Sequence, residues 1–96
     1  MGFIIIENID IQEVGLSLPN LYCSLKGEYS IIRTPYPDTY SLCGNLYIYA
    51  TQTAKICLRQ TRVFVDFKAD NYPSDPIALL YTHCKTLYPD KTFLDV

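Results

Sequence analysis

At 96 residues the chain is long enough for one domain and too short for two. Apolar residues make up 49% of it and charged residues only 19%, which excludes an intrinsically disordered chain. A net charge of −2 and a pI near 5.1 argue against a dedicated nucleic-acid binder, which needs a basic surface to displace counterions.

A chain this small buries a modest fraction of its surface. So apolar a composition means either a rich core or a flank that is covered by neighbours. Nine tyrosines and no tryptophan point the same way, since a phenol offers a large apolar body with a polar tip and suits faces that are part buried and part wet. The opening residues lack the basic region and long apolar run of a signal peptide. Ile6 stands where a myristoylation motif needs Ser or Thr. No run approaches the ~20 apolar residues of a membrane helix. The expectation is a protein made in the cytoplasm, with no membrane partner.

In chain order, residues 3–6 are an apolar strand candidate, placed by their terminal position at an edge or in an arm that pairs elsewhere. Residues 1–13 as a whole read as such an arm, with 7–13 a connection or weak strand. In residues 15–25 the apolar parity changes at Pro19-Asn20, which marks a bulge or break. Lys26-Gly27-Glu28 reads as a tight turn, so residues 21–33 are expected to form a hairpin.

The stretch 34–39 holds two prolines that stiffen it, with Tyr36 between them as a candidate contact tip. Residues 40–50 carry Leu42, Leu46 and Ile48 on one face and Cys43, Tyr47 and Tyr49 on the other, the pattern of a strand covered on both sides. Gly44 is placed as a bend or bulge. Residues 62–68 alternate, with Val63, Val65 and Phe67 against Arg62, Asp66 and Lys68, and Phe64 on the polar side.

The period then changes. Ser74 is a candidate N-cap, and Ile77, Leu80, Tyr81, Cys84, Leu87 and Tyr88 recur at helical spacing until Pro89. This predicts an amphipathic helix over 74–88. The tail holds Phe93, Leu94 and Val96 and is too apolar to hang free. The fold expected is mainly β (α+β): a small antiparallel sheet of four to six strands, as a sandwich or partly open barrel, with one C-terminal helix.

No motif for chemistry stands out. Cys23, Cys43, Cys57 and Cys84 are not at zinc-site spacing and there is a single histidine, so no metal and no cofactor are expected. His83 and Cys84 are helical neighbours pointing about 100° apart and should not form a nucleophilic pair. The four glycines stand singly, without a phosphate loop. No catalytic residue is assigned and no small-molecule substrate is expected. Lys55, Arg59 and Arg62 beside the tyrosine-rich strand are the nearest thing to a platform for single-stranded nucleic acid.

The segments LYIYATQTAKICLRQTRVFVDF and DPIALLYTHCKTLYPDKTFLDV resemble, in the order of their features, small accessory structural proteins of tailed bacteriophage virions. The resemblance implies a non-enzymatic subunit present in many copies, a capsid decoration or cement protein or a neck, tail or baseplate part. Its partners would be other virion proteins or copies of itself. Phe3, Ile5, Tyr36, Tyr47, Tyr49, Phe93 and Val96 are the residues expected at such contacts, with strand addition to a neighbour's sheet as the mode expected for the two ends. A small regulatory or host-interaction protein and a single-strand nucleic-acid-binding β-barrel are the alternative classes.

Overall fold

A computed structural model describes residues 2–96. The elements are β1 (Phe3–Ile5), β2 (Ile9–Ile11), β3 (Leu16–Leu18), β4 (Leu21–Ser24), β5 (Ser30–Arg33), β6 (Thr39–Tyr49), β7 (Cys57–Lys68), a 3-10 turn (Ala69–Asn71), α1 (Pro76–Thr86) and β8 (Phe93–Asp95). The fold class is the expected one: a mainly β chain with an antiparallel sheet and one helix near the C-terminus. Six strands form one sheet, and β2 pairs β3 as a separate hairpin. Among the described residues the sheet does not close into a barrel.

β6 is the central strand. One of its edges pairs with β7 along its whole length. The other edge is shared: Tyr40–Cys43 face β5, and Tyr47–Tyr49 face β4. Strands β4 and β5 therefore run in the same direction on the same edge and do not pair with each other. This corrects the hairpin expected over 21–33. The turn is real: Lys26 and Gly27 both have positive φ, and the Glu28 N–H donates to the Leu25 carbonyl at 3.1 Å. It does not reverse the chain. Residues 25–29 leave the ladder opposite residues 44–46 and rejoin it, a bulge inside one long line of strand along that edge of β6.

Residues 3–5 are not an arm. β1 lies between β4 and β8, and Phe3 and Ile5 have no exposed surface. A run of large apolar side chains next to a tail that also needs cover is better satisfied inside the sheet than reaching outward. The end of this pairing is clamped: Ile6 N–H donates to the Thr92 carbonyl at 3.0 Å, and Thr92 N–H donates to Glu7 Oε2 at 2.7 Å. Residues 9–11 are a true strand, with Ile9 and Ile11 buried in the main core.

Helix α1 begins one residue later than Ser74 would allow. Pro76 holds the residue before it extended, so Asp75 (φ −133°, ψ 90°) is the N-cap, and its carboxylate accepts from the Ala78 N–H at 3.1 Å. The stripe Leu80, Tyr81 and Cys84 is buried, whereas Leu87 caps the C-terminus and is exposed. The helix packs on β6 and β7. The core joins α1 and the β2–β3 hairpin to one face of the sheet, through Phe3, Ile5, Leu21, Cys23, Leu42, Leu46, Ile48, Val63 and Phe67. Gly44 is no bend, because β6 continues through it. Its missing side chain makes room: a Cβ there would lie 3.1 Å from Leu80 Cδ1 and 3.3 Å from the Glu28 carbonyl oxygen.

Candidate interaction face

One helix and one short hairpin are enough to cover one side of a six-stranded sheet. Strand parity then dictates what the other side shows. Val63, Val65 and Phe67 turn toward α1, so Gln60, Arg62, Phe64, Asp66 and Lys68 turn away. Phe3 and Ile5 turn toward the core, so Ile4 turns away. The register sets these side chains in rows. One row crosses the sheet from edge to edge through Leu94, Ile4, Tyr22, Tyr49 and Cys57. The next holds Ser24, Tyr47 and Gln60, and beyond it Asn45 faces Arg62. Two further rows hold Ser30, Cys43 and Phe64, then Ile32, Ser41 and Asp66.

This helix-free face is neither polar nor closed. Phe64 is 59% exposed, Leu94 53% and Ile32 49%. Tyr22 and Tyr49 pack with ring centroids 6.4 Å apart. The Lys26 ammonium lies 4.3 Å from the Tyr47 ring centre and 5.6 Å from that of Tyr49, a cation held over π faces. A hydrogen bond to the Tyr49 side chain raises the Lys26 pKa, so its charge is secure at neutral pH. The result is an apolar strip rimmed on one side by a fixed positive charge.

The residues expected at contacts are scattered by the fold. Tyr47 and Tyr49 lie on this face, though Tyr49 is only 8% exposed. Tyr36 stands at the tip of the β5–β6 hairpin, 71% exposed, on a loop tied by the Thr34 N–H to Thr39 carbonyl bond at 3.1 Å. Val96 is part exposed beside Gly2. Phe3 and Ile5 belong to the core and are unavailable to a neighbour, which corrects their assignment. Phe93 packs edge-on against Phe3 at 5.4 Å and is half-buried. Ile4, Tyr22, Ile32, Phe64 and Leu94 were missing from the expected set. For Phe64 and Ile32 the signal was parity, read together with the fact that a single helix cannot cover both sides of a sheet; Ile4, Tyr22 and Leu94 join the face through the strand register.

The basic platform does not form. Arg59 sits on the opposite side from Arg62 and is bound to the β2–β3 hairpin, with Nε 2.9 Å and Nη2 3.1 Å from the Glu13 carboxylate and Nη2 3.2 Å from the Asp10 carbonyl. Cys23 and Cys84 are buried, and burial pushes their thiols up to about 12 and about 11. Among the described residues no group of three or more His, Cys, Asp or Glu could hold a metal ion. A cleft of about 400 Å³ opens between α1 and β8, and its charged groups, Lys85 and Asp95, are engaged with each other at 2.7 Å. Among the described residues no helix is long and apolar enough to cross a membrane. Comparison with protein families, with curated proteins and with solved structures finds no match for this chain, so its functional reading rests on the geometry of this face.

Proposed function

We propose that the chain is a non-enzymatic subunit of a larger assembly and docks through the helix-free face of its sheet. The assembly implied by the sequence resemblance is a bacteriophage virion, in which the partners are other virion proteins. The observation that carries the reading is the row Leu94, Ile4, Tyr22 and Tyr49, with Phe64 and Ile32 further along the same face.

Each large apolar side chain moved from water into a contact contributes about 1.5–3 kcal/mol. Tyrosine rings add area at little entropic cost and keep a polar tip for hydrogen bonding. A symmetric assembly uses such a patch once per copy, so a modest area per subunit is sufficient.

The test is to purify intact particles and quantify the chain in them by mass spectrometry, for the parent and for Leu94→Lys/Ile32→Lys. Both substituted residues are exposed, so the variant should keep the parent's circular dichroism spectrum. The expected result is a copy number comparable with other structural subunits, and loss of the variant from particles. Particles that lack the parent chain overturn the virion reading. Particles that take up the variant at parental levels overturn the assignment of the face.

A further inference from the structure

Among the described residues the sheet leaves three strand sides unpaired, those of β5, β8 and β7, and β5 is only four residues long. β8 is three residues long, and the Lys85–Asp95 ion pair lies beside it. β7 is twelve residues long, and among the described residues nothing pairs its outer side. Proteins normally blunt such an edge with proline, a bulge or a repelling charge. Between Gln60 and Lys68 this edge has neither proline nor bulge, because the only register shift in the β6–β7 ladder falls between Ile48 and Tyr49, at the far end.

The phase of the ladder identifies which backbone groups are free. Ala69 N–H donates to the Asp38 carbonyl at 2.8 Å, so 38 and 69 form a hydrogen-bonded pair. Counting back in twos, Phe67, Val65, Val63 and Thr61 turn their N–H and C=O groups toward β6. Lys68, Asp66, Phe64, Arg62 and Gln60 turn theirs outward. These same five side chains are exposed and point to the helix-free face.

We infer that β7 pairs antiparallel with β7 of a second copy, about a two-fold axis through Phe64, and joins two sheets into one. Three features of the strand select this register. Phe64 meets its own copy, and both present free backbone groups, as a hydrogen-bonded pair requires. Arg62 falls opposite Asp66 of the second copy, twice, by symmetry. Gln60 falls opposite Lys68. On the other side of the sheet Val63 meets Val65, which extends the apolar layer under α1. Moving the axis to residue 62 or 66 sets like charges face to face. Moving it to 65 opposes Arg62 to Lys68, and moving it to 63 opposes Arg62 to Phe64. Only the axis through Phe64 places opposite charges across the seam with this overlap. The contact deepens the reading of the chain as an assembly subunit by naming a second copy as one partner. It stands on different atoms, the strand edge instead of the apolar row.

The charges supply a direct test, because Arg62 and Asp66 lie opposite Asn45 and Ser41 within the chain and should leave the monomer's fold unchanged when altered. Sedimentation equilibrium from about 1 μM to about 1 mM is expected to show a monomer–dimer equilibrium for the parent. Arg62→Asp alone and Asp66→Arg alone each create two like-charge pairs and should weaken the dimer by at least about 100-fold. An equimolar mixture of the two variants restores both ion pairs and should dimerise as the parent does. Phe64→Cys in a Cys57→Ser background should oxidise to a covalent dimer, since hydrogen-bonded partners lie about 5.5 Å apart. A parent that stays monomeric throughout, or variants that dimerise unmixed or fail to rescue each other, overturns the inference. Those outcomes leave the particle experiment untouched, and failure of that experiment leaves this one standing.

Discussion

The Leu25 amide donates a hydrogen bond to the Tyr81 hydroxyl at 3.0 Å, across 56 positions of sequence and within the buried core. Leu25 follows directly on β4, where the chain leaves the β6 ladder, and its side chain is completely buried. Helix α1 supplies the acceptor for its N–H. Tyr81→Phe keeps the ring, including its edge-on contact with Phe3 at 6.0 Å, and removes only the oxygen. A buried N–H left unpaired costs about 1–3 kcal/mol, and the urea midpoint should fall accordingly. An unchanged midpoint would mean that the bulge does not depend on α1 for its hydrogen bonding.

Gly44 sits beneath the same junction, between Leu80 of the helix and the carbonyl of Glu28 in the bulge. The missing Cβ lets three elements meet at one point. Gly44→Val should therefore destabilise by about 1–3 kcal/mol through overpacking, despite valine's preference for strands. Calorimetry would show it. A valine variant at least as stable as the parent would contradict the close approach of Leu80 and Glu28 to Gly44.

The period-2 and period-3.6 patterns carried the strand over 62–68, the central strand and the helix, because each has one face that must be apolar. The topology was not legible. Lys26-Gly27 has the chemistry of a hairpin turn and forms one, but whether the next strand reverses depends on β6, which offers one edge long enough for both β4 and β5. Phe3 and Ile5 read as an arm because terminal strands so often lie at edges. β8, drawn back by the turn after α1, places β1 in the interior. For the candidate face, Tyr47 and Tyr49 were visible from parity alone. Leu94, Ile4 and Tyr22 join them only through a register that sequence spacing does not contain.

The hairpin's tether should be sensitive to acid. The Arg59 hydrogen bonds hold the Glu13 carboxyl below its usual range, and the Thr92 amide does the same for Glu7. A carboxylate whose folded pKa is depressed adds stability above its unfolded pKa. That stability is lost as pH falls through the folded value. Thermal melting should therefore be flat from neutrality to about pH 5 and decline below about pH 4. Glu13→Gln should lower the melting temperature near pH 7 and make the acid decline shallower. If its profile runs parallel to the parent's down to pH 2, the tether contributes nothing that titrates. Both carboxylates are exposed, so the effect per pair is small and should diminish with salt.

The four thiols divide by burial, and the division has a consequence at each end of the experiment. Cys57 is exposed, whereas Cys23, Cys43 and Cys84 are buried. A thiol-specific reagent on the native protein at pH 8 should consume one thiol quickly, lost in Cys57→Ser, and the other three only on unfolding. The same burial acts on alkaline stability. Cys23 is pushed up to about 12, by burial first and by the nearby Cys84 second, and Cys84 is pushed up to about 11 by burial. In the unfolded chain both ionise near pH 9, so between about pH 9 and 11 the unfolded state releases protons that the folded state retains. Stability is therefore undiminished below pH 9 and falls as pH rises toward the folded values. Cys84→Ala should lessen the slope above pH 9 while lowering the plateau through the space it leaves. A parent whose melting temperature holds constant up to pH 11 would show these two sulfurs in contact with water.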